Sequence, residues 1–208
     1  MNKNYLIRLE EIYDYDEVEN VVRESFFNIY RPGCYEHYLL HILRNDKSFV
    51  KNLDFVILKD GKIIGQNVFV KTVIVTDDNK NIEVLTMGPI CILPSYQKQG
   101  YGKILLDYSL EKATEYGFGA VLFEGNIMFY GKSGFDYAKK FNIRYNDLDI
   151  NENTDFFLCK ELKTGFLKNV NGKYITPTIY YVDRNDVEEF DKKFPEKKKL
   201  KLPGQIFE

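Results

Sequence analysis

Cysteine is scarce in this 208-residue chain: Cys34, Cys91 and Cys159 are odd in number, far apart and outside any CxxC pair. A disulfide framework and a thiolate metal site are thereby excluded as organising features, and a reducing compartment is the simpler home. Long apolar runs are lacking as well. No stretch approaches the ~20 residues that cross a bilayer. The N-terminal MNKNYLIRLEEIYDYDE has no apolar core after its lysine, so neither a signal peptide nor an anchor is expected. A cytoplasmic protein is the expectation. An excess of either charge is also missing: 29 basic residues against 31 acidic ones leave a net charge of -2, which supplies no overall field toward nucleic acid or an anionic membrane. Local patches remain open. Histidine is limited to His37 and His41, on one helical face as HYLLH, but tyrosine stands where a zinc protease motif has glutamate and no third ligand is evident. No metal is expected.

What is present is enough apolar material for a core, since 44% of the residues are hydrophobic. The pattern predicts a strand over 5–9, then a helix begun by the acidic stretch 14–19 with Val18, Val21, Val22 and Phe26 on one face. Arg31-Pro32-Gly33 breaks the chain. Tyr35, Tyr38, Leu39 and Ile42 mark a second helix. Asp60-Gly61 reads as a tight hairpin turn between strands 55–58 and 63–75, and 77–81 as the turn into a third strand, 82–93, interrupted by Gly88-Pro89. A helix over 101–116 ends at Gly117, followed by a buried strand at 120–123. Beyond Asp136 the pattern gives a strand at 156–162, a hairpin turn at Asn171-Gly172 and a short helix at 185–194. The lysines between 192 and 201 read as a solvated terminal segment. The fold class expected is mixed α/β, in the sense of α+β.

The informative stretch is QKQGYG, residues 97–102, where an apolar strand gives way to a helix. Such a turn gathers backbone N–H groups and the positive end of a helix at one point, which suits an anion. Spacing rejects two familiar phosphate loops: a Walker A loop needs glycine at position 97 and serine or threonine at 104, and a dinucleotide fingerprint needs glycine at 105. What remains is Gln97-x-x-Gly100-x-Gly102 after a broken strand.

In this respect the sequence resembles the GNAT superfamily of acyl-CoA-dependent N-acyltransferases, from Tyr5 to about Tyr137. A second stretch, Gly125 to Phe135, fits that family's short helix ending in Tyr-x-x-x-Gly-Phe. The resemblance implies a mixed, mostly antiparallel central sheet flanked by helices, with parallel strands splayed at the CoA site. It implies a catalytic domain over 1–155, with strands, a short helix and a tail over 156–208 completing it. By position, Ile90, Cys91 and Ile92 would meet pantetheine. Gln97, Lys98, Gln99, Gly100, Tyr101, Gly102 and Lys103 would cradle the pyrophosphate.

The implied reaction is direct transfer of an acetyl group from acetyl-CoA to a primary amine on a small molecule or peptide, with no metal. It needs an oxyanion donor and a proton source. Tyr130 occupies the position of the acid, and Asn126, on the same helical face, that of a CoA contact. A packed core tyrosine and a helix N-cap are the structural alternatives. Glu124 and Glu83 are candidate bases that match no motif residue. Cys91 reads as a small apolar strand residue, because direct transfer needs no nucleophile. The other functional class compatible with these residues is a non-catalytic acyl-CoA sensor or interaction module of the same fold. A ribosome- or tRNA-directed enzyme is disfavoured by the charge balance.

Overall fold

Asp60 and Gly61 both take positive φ, 50° and 80°, the pair of conformations that a two-residue hairpin turn needs to match the twist of its strands. They join β1's neighbour in the sheet to the longest strand of the molecule. With β1 at Tyr5–Leu9, β2 at Phe55–Lys59 and β3 at Lys62–Thr76, both β1–β2 and β2–β3 are antiparallel. The computed structural model describes residues 4–146, 148 and 151–207. The chain divides into two units, the first formed by Met1–Val68, Pro89–Leu105 and Thr178–Glu208, the second by Phe69–Gly88 and Leu106–Pro177.

In the first unit, α1 (Tyr15–Phe26) buries Val18, Val21 and Val22, the face its periodicity predicts. The second helix, α2 (Glu36–Leu43), is turned relative to its predicted face. His37, Leu39, Leu40 and Leu43 are buried, while Tyr35, Tyr38 and Ile42 are only half-buried. A buried ion cluster lies at its end: Arg44, just past α2, reaches Glu10 at 2.6 and 3.0 Å and Glu19 of α1 at 2.5 Å, and removing one partner would leave a buried charge unpaired. A second cluster holds the last helix: Arg23, 1% exposed, donates to Asp191 at 2.6 and 3.3 Å. The predicted helix at 185–194 is α5 in the order of the chain, Arg184–Asp191, capped by Asp183 on the Asn185 amide.

The lysine-rich segment after that helix is exposed but does not hang free in solvent. Lys197 pairs with Glu24 at 2.9 Å. Asn28, at φ +61°, accepts from the amides of Gly33 and Leu200 and donates to the carbonyl of Lys198, while Gln205 donates to its backbone oxygen. The amides of Ile206 and Phe207 both bond to the Tyr30 carbonyl. Residues 197–207 are thus strapped to the loop between α1 and α2, an arrangement invisible to charge counting because most of its bonds join uncharged amide side chains and backbone groups.

The second unit is organised by β4 (Asn81–Ile92), which enters it up to Gly88, and by β5 (Ala120–Glu124). These two are parallel and registered at Leu85↔Val121 and Thr86↔Leu122. Met87 and Gly88 of β4, and Phe123 and Glu124 of β5, lie outside that pairing. Gly88 has φ +128°, a value closed to other residues, and lies two residues past the last registered pair. Between them runs α3 (Tyr101–Glu115), closed as predicted by Gly117 at φ +92°. After α4 (Ile127–Tyr130) come β6 (Asp136–Tyr137), β7 (Ile143–Tyr145), β8 (Phe157–Glu161) and β9 (Gly172–Tyr174). β8 is antiparallel to β5 and β6; β9 is antiparallel to β3 and parallel to β7. The sheet is therefore mixed and mostly antiparallel. Gly172 is not a hairpin turn residue. It opens β9 because a Cβ there would lie 2.5 Å from the Val75 carbonyl, so only glycine permits that approach. Ile74, Leu122, Phe157, Cys159 and Tyr174 form the core of this unit.

Candidate functional site

In the first unit, β4 ends at Ile92 and a single 3-10 turn, Pro94–Tyr96, leads into QKQGYG. Gln97 donates its side-chain amide to the Ile92 carbonyl at 2.9 Å, tying the loop back to the strand it leaves. Gln99 does the same to Ser95 at 3.0 Å. Lys98 and Gly100 take φ of +58° and +89°, so the backbone reverses its curvature twice within three residues, and at Gly100 no side chain is easily tolerated. The Gly100 carbonyl then accepts from Ile104 at 3.1 Å, the first bond of α3. Tyr101 anchors this corner from below. It is 4% exposed and packs edge-on against Tyr5 and Tyr96, with centroids 6.5 and 6.4 Å away.

Gln97, Lys98, Gln99, Gly100 and Lys103 face solvent, Gly102 is half-exposed, and no acidic residue lies in the first turn of α3. The first-turn amides of a helix have no intrahelical partner and carry partial positive charge. The residues present therefore fit a phosphate-bearing ligand. The side chain of Gln97 is spent on holding the loop, so its part is positioning.

On the strand side, Ile90 is half-exposed while Cys91 and Ile92 are buried. β4 is drawn unusually close to β3, since a Cβ on Gly65 would fall 2.4 Å from Ile92 Cδ1 and 2.5 Å from the Cys91 carbonyl. Burial pushes the Cys91 thiol up to about 12. A thiol so protonated is no nucleophile at neutral pH, as the sequence reading of a small apolar residue requires.

The second unit holds the other sequence-predicted residues. Asn126 is the N-cap of α4 and accepts from the Met128 amide at 2.9 Å, so its structural alternative is realised. Tyr130 is half-buried in an aromatic nest, its ring edge-on to Phe123, Phe129 and Phe135 at 4.5, 4.8 and 6.0 Å. Gly125 makes that nest possible, because a Cβ there would sit 2.8 Å from Tyr130 Cε2. Gly134 closes the turn at φ +85°. Glu124, at the end of β5, accepts from the Tyr145 hydroxyl. Glu83 is exposed and paired with Lys71 at 3.2 Å. The Tyr145 partnership had no sequence signal, since it joins segments 21 residues apart in the chain.

The histidines are placed elsewhere. His41 Nδ1 is 2.9 Å from Glu19. His37 Nε2 lies 3.1 Å from Asp191, close enough for an ion pair but without hydrogen-bond alignment, so both ring nitrogens lack a hydrogen-bond partner.

Comparison with known proteins agrees with this geometry. A curated relative, "Uncharacterized N-acetyltransferase YhbS" of Escherichia coli K12, is 28% identical over 140 residues, covering 67% of this chain and 78% of the relative. The crystal structure of a GNAT family N-acetyltransferase (YhbS) from Escherichia coli in complex with CoA superposes with a TM-score of 0.72 at 24% identity, covering 85% of this chain and 91% of that one. A GNAT family acetyltransferase from Brucella melitensis in complex with acetyl-CoA gives 0.68 at 19% identity, over 86% and 99% of the two chains. The structural likenesses are of fold. The sequence profile described as the Acetyltransferase (GNAT) family matches residues 15–135, more than half of the chain, and the protein belongs to that family.

Proposed function

We propose that the protein is an N-acetyltransferase that moves the acetyl group of acetyl-CoA directly to a primary amine. The observation that carries this reading is the QKQGYG corner, with its left-handed Gly100, the opening of α3 and a first turn free of acidic residues. Residues 97–103 are the segment that would hold the CoA phosphates. The amine nitrogen attacks the thioester carbonyl, the N–C bond forms and the C–S bond breaks. The departing thiolate takes a proton, and the nitrogen gives one up.

Tyr130 is the residue assigned to the first of these proton transfers. A phenol O–H is a proton donor as well as an acceptor, which is the capacity this transfer needs. The packing of Phe123, Phe129 and Phe135 fixes its ring. Glu124, at the end of β5, is the base we assign, acting directly or through water.

The test has a binding arm and a turnover arm. Acetyl-CoA and CoA, but not ATP or NAD, are expected to raise the melting temperature, since a ligand at 100 times its Kd stabilises by about 2.7 kcal/mol. Tyr130→Phe keeps the ring in its nest and is expected to lower kcat about a hundredfold with acetyl-CoA binding unchanged. A folded, ligand-free protein that ignores CoA would refute the function. Unimpaired turnover in the variant would remove Tyr130 as the acid.

A further inference from the structure

A series of hydrogen bonds in the second unit ends on the carboxylate assigned as the base. An ionised Glu124 can only accept, so the Tyr145 hydroxyl that meets it donates. Behind Tyr145, the Thr176 hydroxyl is directed at the phenol oxygen from 3.4 Å. Asn146 grips Thr176 at two points: its Oδ1 accepts from the Thr176 amide at 2.7 Å, and its Nδ2 donates to the Thr176 hydroxyl oxygen at 2.7 Å. With that oxygen accepting from Asn146, the one Thr176 hydroxyl proton is left for Tyr145, and the one Tyr145 hydroxyl proton for Glu124. Every donor in the series is directed toward the carboxylate.

The backbone and the packing fix this arrangement. Tyr145 of β7 is level with Tyr174 of the parallel β9, and the Asn146 amide donates to the Tyr174 carbonyl at 2.9 Å. The Tyr145 ring is stacked on Tyr174, with centroids 6.0 Å apart, and edge-on to Phe156 and Phe157 at 5.2 and 5.0 Å. A side chain locked by packing and by its own hydrogen bonds delivers its donor to one place. Glu124 has no such packing. It is exposed at the end of β5, where a free glutamate would sample several rotamers. Among the described residues no other hydrogen bond or ion pair reaches it.

Successive residues of a strand point to opposite faces. Phe123 packs on Tyr130, the assigned acid, whereas Glu124 points to the other side, that of its cross-strand neighbour Phe157 and of Tyr145. A nucleophile approaches a thioester from above its plane while the sulfur lies in that plane, so acid and base have to reach it from different directions. We propose that Tyr145, with Thr176 and Asn146 behind it, is a positioning residue for acetyl transfer that holds one oxygen of Glu124 and leaves the other for the acceptor amine. The N–H bond breaks, its electron pair stays on nitrogen, and the proton goes to the free carboxylate oxygen and then to water. This rests on the acetyl-transfer reading above, with Glu124 as its base.

The experiment measures CoA release by wild type, Glu124→Gln, Tyr145→Phe, their double variant, Thr176→Val and Thr176→Ser. The acceptors are the common L-amino acids, tyramine, putrescine and spermidine, and thermal melts with and without CoA are run alongside. Tyr145→Phe keeps the ring among its neighbours and is expected to lower kcat about tenfold, with the KM for acetyl-CoA and the CoA-induced rise in Tm unchanged. Glu124→Gln should lower kcat about a hundredfold. The double variant should be no slower than Glu124→Gln alone, because a residue that acts through Glu124 then has nothing to act on. Thr176→Val should lower kcat about threefold, and Thr176→Ser, which keeps the hydroxyl, should recover most of that loss. An unchanged kcat in Tyr145→Phe, or losses that multiply in the double variant, would overturn the proposal, as would a defect confined to stability or to the KM for acetyl-CoA. A Glu124→Gln enzyme as fast as wild type would remove the base and the proposal with it, leaving acetyl transfer standing. CoA binding by wild type without turnover of any of these amines would overturn acetyl transfer, and the proposal with it.

Discussion

His37 offers a quantitative test of how the first unit is held together. Its side chain is fully buried between Phe190 and Phe194, with ring centroids 5.3 and 5.2 Å away, beside the Arg23–Asp191 pair. Burial, aided by the Arg23 charge and opposed by Asp191, lowers its pKa from 6.5 to about 4. An unfolded chain takes up a proton near pH 6.5 while the folded one does so only near pH 4, so acidification through that window favours unfolding. The stabilisation is complete above pH 6.5 and is lost as pH falls toward 4. Linkage gives a loss of about 2 kcal/mol between pH 7.5 and 5, rising to about 3 kcal/mol at the lower pKa. For a chain of this size that is a fall of about 4–8 °C in Tm by pH 5.

Asp54 titrates in the opposite sense. Buried next to Glu10, its carboxyl is pushed well above the usual range, so protonation there favours the folded state. The raw pH dependence of the wild type mixes the two groups, and the useful quantity is the difference from His37→Phe, which keeps a ring in the site and removes only the titration. Urea melts of both proteins from pH 7.5 to 5 should show the wild type losing about 2 kcal/mol relative to the variant. A difference that stays flat across this range would refute the argument that burial holds His37 neutral.

Two further outcomes follow from the candidate site. Gly100→Ala forces a Cβ onto a residue at φ +89° and should cost about 1 kcal/mol of stability while weakening CoA binding at least tenfold, as read by the ligand-induced shift in Tm. Equal shifts in both proteins would show that the left-handed corner does not matter for the ligand. Cys34, Cys91 and Cys159 are all buried, and burial raises each thiol, so iodoacetamide should label none of them at pH 7.5 until denaturant is added. Labelling of the folded protein by mass spectrometry would contradict this.

The sequence was most legible where one residue type is required by backbone geometry. Asp60-Gly61 and Gly117 each announce a positive φ, and each takes one. It was least legible where tertiary partners decide. The apolar spacing of α2 pointed to Tyr38 and Ile42, but it is His37, 3.1 Å from Asp191, that is buried. Asn171-Gly172 has the composition of a turn, and only the closeness of Val75 explains why it begins a strand. At the site, two short motifs drew attention to the left-handed corner before α3 and to Tyr130 in its aromatic nest, because each depends on local spacing.

The strap over the α1–α2 loop has a consequence for how the protein is made. Gln205 reaches back 177 residues to Asn28, and the ring of Phe207 completes the enclosure of Arg31. At roughly 5–20 residues per second, a ribosome that has finished the loop needs about 9–35 s more to supply its partner. Until then the nascent chain has only the Tyr35 ring for Arg31 and an Asn28 with no strap to bind. Strands β1 to β6 and the QKQGYG corner are complete by Tyr137, whereas this enclosure waits for residues 197–207.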